Sequence, residues 1–375
     1  MKKQFSLRDF SLLLSLLAIW TFFALAAPQY LSARNISMLS VELAITGTLA
    51  LGMLLVILPG HIDLSVGSGV GLVGGIASVL VFNHGWPAAA AFGIAISVAV
   101  LAWTLMGALI VRERIPSFII TLGGLLIFKG AFWLVIGSRT VPVAPGGQTN
   151  LYSLLTTYYI PPVISWILGA VVFAIWVFSA LSSRQRRQKL GFSVDDKELT
   201  FLKLFITGQA LALAVLLLNQ FRGIPLPLVI LAVVALAIHI LTRHTPFGRQ
   251  LYAIGGNEEA AFISGVPVQR VVIGAFMVLG GIVAITGLMQ TAYAGASTTT
   301  IGDQMELDAI AACVIGGTSL RGGRGSVIGV IFGALIMASL LNGMTLLAVS
   351  PELKLIVRGA VLTLAVWMDV KLSKR

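Results

Sequence analysis

Apolar residues run in long, unbroken blocks along this chain, and polar residues crowd into the short gaps between them. The blocks lie at roughly 10–27, 41–58, 64–82, 88–111, 118–137, 160–181, 201–218, 227–242, 271–290, 327–347 and 355–370. A weaker twelfth covers 306–320. Most approach the ~20 residues that a helix needs to cross the ~30 Å hydrocarbon core of a bilayer. The runs are continuous rather than alternating, which predicts helices and not barrel strands. The pattern predicts an all-α, polytopic transmembrane bundle, a single membrane domain over residues 1–375.

Two stretches read poorly as plain spans. Residues 59–75 carry Asp63 among Gly60, Gly67, Gly69, Gly71, Gly74 and Gly75. Residues 306–326 carry Glu306 and Asp308 ahead of Gly316, Gly317, Gly322, Gly323 and Gly325. Glycine-rich, charged, half-length stretches predict broken or re-entrant helices, tolerated at membrane depth only inside protein or beside a cavity. About ten full spans plus two such elements preserve even parity. Gly67-Ser68 and Gly325-Ser326 each open a small-residue helix, a pattern compatible with a faint internal repeat or with chance.

Composition agrees with the pattern. Of 375 residues, 58% are hydrophobic and 10% charged, against about 25% charged in a soluble domain. Basic residues set the orientation. With a cytoplasmic N-terminus, the inside loops hold Lys2, Lys3 and Arg8, Arg112 and Arg114, the loop 182–200 with Arg184, Arg186, Arg187 and Lys189, then Lys197 and Lys203, then Arg243, Arg249 and Arg270, then Arg321 and Arg324, and the tail Lys371, Lys374 and Arg375. Only Arg34, Lys129, Arg139, Arg222, Lys354 and Arg358 fall elsewhere. Both termini come out cytoplasmic. The net charge of +11 thus reflects membrane orientation rather than a nucleic-acid surface. The first apolar run, with Ala24-Leu25-Ala26 near its end, could be a signal peptide; its length and the many spans behind it favour an uncleaved helix.

Candidate chemistry is sparse. One cysteine, Cys313, allows no disulfide, and four scattered histidines offer no ligand spacing, so neither metal nor other cofactor is expected. No phosphate-binding Gly-x-x-x-x-Gly-Lys-Ser/Thr loop and no nucleophile elbow occurs, so ATP hydrolysis and intramembrane catalysis are not expected of this chain. Charges inside apolar runs cost about 2.5–3.5 kcal/mol at the bilayer centre and face the bundle interior, pair or snorkel. Lys129 sits near the middle of its run. Glu42 and Arg358 lie near the outer ends of theirs, and Asp369 lies beside the basic tail. Asp63 either lines a solute path or, the favoured reading, accepts backbone hydrogen bonds where the helix breaks. The loop 243–272 holds a short helix signal: Asn257 as N-cap, Glu258 and Glu259 at its positive end, and Gly265 and Pro267 at its close.

Three motifs then carry a resemblance. Glu259-Ala260-Ala261 followed by Gly265 is similar to the "EAA…G" loop of ABC-importer permeases. Gly60-His61-Ile62-Asp63-Leu64-Ser65-Val66-Gly67-Ser68 resembles one signature of the ribose, galactose and xylose permeases, with His61 where many members have a small or acidic residue. The stretch Glu306–Ser326 resembles their second signature. Tyr30–Ile36, Ile115-Pro-Ser-Phe118, the basic loop Arg184–Leu190 and Leu341-Asn-Gly-Met344 resemble the xylose members. The resemblance implies a monosaccharide permease in a bacterial inner membrane, in contact with lipid, paired with a second copy, a separate ABC ATPase and a periplasmic sugar-binding protein. It implies that Asn257, Glu258, Glu259, Ala260, Ala261 and Gly265 couple to the ATPase. Asp63, Ser65, Lys129, Glu306, Asp308 and Asn342 are the candidates for the translocation path or the helix breaks. An ion-coupled secondary transporter of a small polar solute, with Asp63 and Glu306 as coupling carboxylates, is the alternative.

Overall fold

The computed structural model describes residues 7–146, 148–192, 194 and 196–373. Expectations on Lys2, Lys3, Asp195, Lys374 and Arg375, and on the side chains of Arg8 and Asp369, lie outside the described residues. The described chain is a succession of helices: α1 (Leu7–Ala26), α2 (Ala33–Ile57), α3 (Val66–Phe82), α4 (Ala88–Glu113), α5 (Ser117–Ile136), α6 (Leu151–Thr157), α7 (Pro162–Lys189), α8 (Lys197–Asn219), α9 (Leu226–His244), α10 (Pro246–Gly256), α11 (Glu258–Ile263), α12 (Val268–Ala294), α13 (Met305–Ile315), α14 (Val327–Leu346) and α15 (Pro351–Ser373). Two-residue strands interrupt it: β1 (Val141–Pro142) pairs antiparallel with β4 (Ala296–Ser297), and β2 (Tyr159–Ile160) with β3 (Ile224–Pro225). Each of the eleven strong apolar blocks is a helix, and eight helices among the described residues are long and apolar enough to cross a membrane.

The chain forms two compact units. The first joins residues up to Ser40 with Tyr158–Leu226. Its antiparallel pair α7 and α8 packs through small residues, with Gly169 against Val215 and Gly208 against Phe173. Arg184 Nη1 donates to Thr200 Oγ1 at 2.6 Å where the pair ends. The outward faces carry Ile167, Ile175, Phe178 and Phe201, all more than half exposed. Such a surface is tolerable in hydrocarbon and costly in water.

The second unit takes Val41–Thr157 and Pro227–Arg375. Helix α3 lies at its centre, packed against α4, α5, α12 and β1. Glycines make that position possible. Without a strong hydrophobic drive between helices in lipid, close backbone approach through small residues holds a bundle together. A Cβ on Gly67 would strike the Gly302 carbonyl and the Glu306 carboxylate; one on Gly69 would strike the indole of Trp103; one on Gly71 or Gly75 would strike Phe132. The break expected across 59–75 is therefore shorter than the composition implies. It occupies only the segment between α2 and α3, and Gly67 to Gly75 are packing contacts inside a regular helix.

The other expected break is real and longer. Helix α13 has 11 residues, about 16 Å of rise, half of a bilayer core. An irregular segment, 316–326, follows before α14. Ser326 caps α14 by accepting from Gly329 N at 3.1 Å. Ser68 caps nothing: it lies inside α3, where Ser65 is the N-cap residue, and its hydroxyl bonds to the Ser65 carbonyl. The two Gly-Ser pairs thus stand at different helical positions, and the repeat they hinted at is not seen in the caps.

Candidate functional site

The two breaks, far apart in sequence, meet in space. Gly323 N donates to the Leu58 carbonyl at 2.9 Å, and the Gly255 backbone is wedged against Leu58, Gly322 and Gly323. Gly322 and Gly323 have φ of +86° and +73°, a region that L side chains rarely adopt. Any side chain at Gly255 would push these three backbones apart.

Within the first break, Asp63 is fully buried. Its Oδ1 accepts from Ser65 N at 2.7 Å and from Ser65 Oγ at 2.6 Å, and its Oδ2 accepts from Trp103 Nε1 at 2.7 Å. The carboxylate ties the start of α3 to the middle of α4, and both of its oxygens are engaged. Ser117 and Thr121 of α5 hold the neighbouring Ile62 backbone.

Next to the junction stands the 243–272 loop. Thr245 caps α10 by accepting from Gly248 N at 3.2 Å, with Pro246 in the first turn. Pro246 and Gly255-Gly256 are residues that ordinarily break helices, yet Thr-Pro is a start signal here, and both glycines end up helical. Tyr252 on α10 donates to the Gly325 carbonyl at 2.9 Å. Burial raises the Tyr252 phenol above its ordinary value, opposed by Arg243, so it stays a neutral donor. Asn257 caps α11 by accepting from Ala260 N at 2.9 Å. Gly265, at φ +83°, closes it with its N–H on the Phe262 carbonyl. Glu258, Glu259 and Ala260 are exposed, while Ala261 is buried and anchors the short helix. A hollow of about 1160 Å³ opens between this helix, the α2–α3 break and the α4–α5 turn, with His61, Arg114, Ser117, Glu259, Phe262 and Arg270 on its walls.

The remaining candidates collect elsewhere in the second unit. Lys129 of α5 forms an ion pair with Asp303 and lies 5.6 Å from the Trp133 ring centroid. Asp308 pairs with Arg358 at 3.2 Å. Asn342 donates to Glu42 at 3.2 Å. The Glu306 carboxylate packs against Gly67. Every charged group here has found a partner or a wall of its own bundle, as a low-dielectric setting demands.

Comparison with known proteins places this arrangement. Residues 35–366 match the family described as "Branched-chain amino acid transport system / permease component". The chain belongs to this permease family. It is 40% identical to the xylose transport system permease protein of Escherichia coli K12 over 374 residues, covering 100% of this chain and 94% of that protein. The corresponding Haemophilus influenzae protein is also 40% identical, with 99% of it covered. The ribose import permease protein of Bacillus subtilis is 32% identical over 92% of this chain and 88% of its own length. No solved structure matches. The permease is a multi-pass protein of the inner membrane.

Two residues of the permease escaped the sequence reading. Phe262 and Ile263, on α11, are 70% and 77% exposed. They stand out from a helix whose other exposed positions are polar or small. The signal was present, two large apolar residues in an otherwise hydrophilic loop, but only the fold shows that Ala261 takes the inward position and leaves them outside.

Proposed function

We propose that this chain is the transmembrane subunit of a binding-protein-dependent ABC importer that moves a monosaccharide, D-xylose, across the bacterial inner membrane. The observation that carries the reading is the full-length similarity to xylose permeases. ATP hydrolysis falls to a separate ATPase chain, and a periplasmic sugar-binding protein delivers the cargo. Two copies of the permease form the channel, surrounded by lipid. The eight long apolar helices together with α1 and α15 make ten spans. α3 and α13 are the two elements that follow or precede a break, and the even total leaves both termini cytoplasmic.

In this reading α11 is the coupling helix. Asn257 and Gly265 fix its two ends, Glu258 and Glu259 face the ATPase, and Phe262 and Ile263 fill its groove. Motion of α11 is passed through α10 to the junction of the two breaks by the Gly255 wedge and the Tyr252–Gly325 hydrogen bond. Asp63 and Ser65 act as the brace that keeps α3 in register during that motion. The relatives are importer permeases, which favours this reading over an ion-coupled secondary transporter.

The test is uptake of labelled D-xylose by cells that lack their own xylose permease but retain the ATPase and binding protein. Expression of this chain is expected to restore uptake. Uptake that persists after deletion of the ATPase would overturn the reading in favour of ion coupling. Gly265→Trp or Glu259→Lys is expected to leave the permease in the membrane with ATP hydrolysis uncoupled from uptake.

A further inference from the structure

The hollow beside α11 has a second rim that the coupling helix does not account for. The turn between α4 and α5, with Arg114 and Pro116, forms it, and Arg270 joins from the first turn of α12. Both cations stand where local structure disfavours them. Arg114 is the C-cap residue of α4, at φ +55° and ψ +34°. That left-handed position suits glycine, because a Cβ there crowds the following carbonyl. The α4 dipole favours a cation in this turn, but Arg112 already supplies one. Arg270 lies at the positive end of the α12 dipole, which favours acids. Both side chains are exposed, and neither makes a hydrogen bond or ion pair among the described residues. Membrane orientation asks for basic residues on this side of the bundle, but not at these two positions.

The turn is also tied to the first break. Ile62 N donates to Ser117 Oγ at 3.2 Å, and Thr121 Oγ1 donates to the Ile62 carbonyl at 3.2 Å. Ile62 is the neighbour of Asp63, so a push on the turn reaches the start of α3. Across the hollow, α11 presents Glu258, Glu259 and Phe262. The two rims thus carry opposite charge on either side of a space of about 1160 Å³, and no ion pair bridges it among the described residues.

Resting on the importer reading above, we infer that the α4–α5 turn is a second docking element for the ABC ATPase, with Arg114 and Arg270 receiving an acidic segment of that subunit seated in the hollow. Continuity fixes the occupant: the two rims bound one hollow, so the protein that covers α11 also covers the turn. Guanidinium groups call for carboxylates, which they hold through two parallel N–H donors. Such pairs become stronger once the partner excludes water from the hollow. The second contact gives ATPase movement a route to Ile62 and Asp63 that does not pass through α10.

The test separates docking from folding. Full-length permease in nanodiscs is titrated with the purified ATPase, and its unfolding temperature is followed in parallel. Arg114→Gly removes the charge and the strained conformation together. It is expected to raise the unfolding temperature slightly while weakening ATPase binding about tenfold. Arg270→Gln is expected to weaken binding by a similar factor, and Arg112→Gln, close by but off the hollow, to leave it unchanged. Binding of the unsubstituted chain is expected to fall more steeply with salt than binding of the Arg114→Gly chain. Unchanged affinity in both Arg114→Gly and Arg270→Gln, with Phe262→Ser plus Ile263→Ser still weakening it, would overturn the second docking element and leave α11 as the coupling helix. No effect from any of these changes would overturn both. Lost binding that tracks a lower unfolding temperature in both arginine variants would assign these residues to the fold and equally overturn the inference.

Discussion

At the scale of single residues, the membrane turns small choices into large effects. Asp63 is the clearest case. Its carboxyl accepts three hydrogen bonds from Ser65 and Trp103, and removing it leaves an indole N–H and a backbone N–H buried without an acceptor. Asp63→Ala is expected to destabilise the second unit by about 2–4 kcal/mol, read as a lower unfolding temperature in detergent, with Asp63→Asn milder. One glycine of α3 and one of α5 offer a paired test. Gly67→Ala must displace the Gly302 carbonyl and is expected to cost about 1–3 kcal/mol. Gly123→Ala, where a Cβ meets nothing within 4 Å, is expected to be neutral or to stabilise by up to ~1 kcal/mol. Equal effects of the two would show that packing around α3 is looser than described. The sequence showed both glycines as members of runs, and nothing local separates them, because the difference lies in what stands opposite.

At the scale of elements, α11 shows what caps and spacing can reveal. Asn257, two acids and Gly265 mark a two-turn helix from local chemistry alone, and the structure has that helix with that cap. Asn257→Ala is expected to weaken it by about 1 kcal/mol and to lower the transport achieved per ATP hydrolysed, measured in vesicles holding the ATPase and binding protein. Phe262→Ser with Ile263→Ser is expected to weaken ATPase binding without lowering the yield of permease in the membrane, seen by co-purification. Undiminished co-purification would remove these two residues from the docking surface. Helix α10 is obscured by its Gly255-Gly256 pair, which lowers helix propensity but is overridden where Gly255 must pass close to the Leu58 and Gly322 backbones. The shortened break before α3 has the same origin. Glycine in a membrane chain signals close approach as often as it signals a turn.

At the scale of the whole molecule, the basic loops predict an orientation with both termini in the cytoplasm. A reporter that fluoresces only in the cytoplasm, fused after Arg375, is expected to be bright, and a periplasmic phosphatase at the same site inactive; the reverse would exclude cytoplasmic termini. The positions of the long apolar helices and their approximate lengths were determined by the sequence itself, because bilayer thickness acts on each segment independently. The existence of a half-helix at 306–315 and a cap at Asn257 was equally local. What only the tertiary structure decided is which distant polar groups meet: the two breaks at Leu58 and Gly323, Asp63 with Trp103, Lys129 with Asp303, and Asp308 with Arg358. Burial forces each charge to find a partner, but the partner lies tens to hundreds of residues away, and its identity depends on how the helices cross rather than on any pattern along the chain.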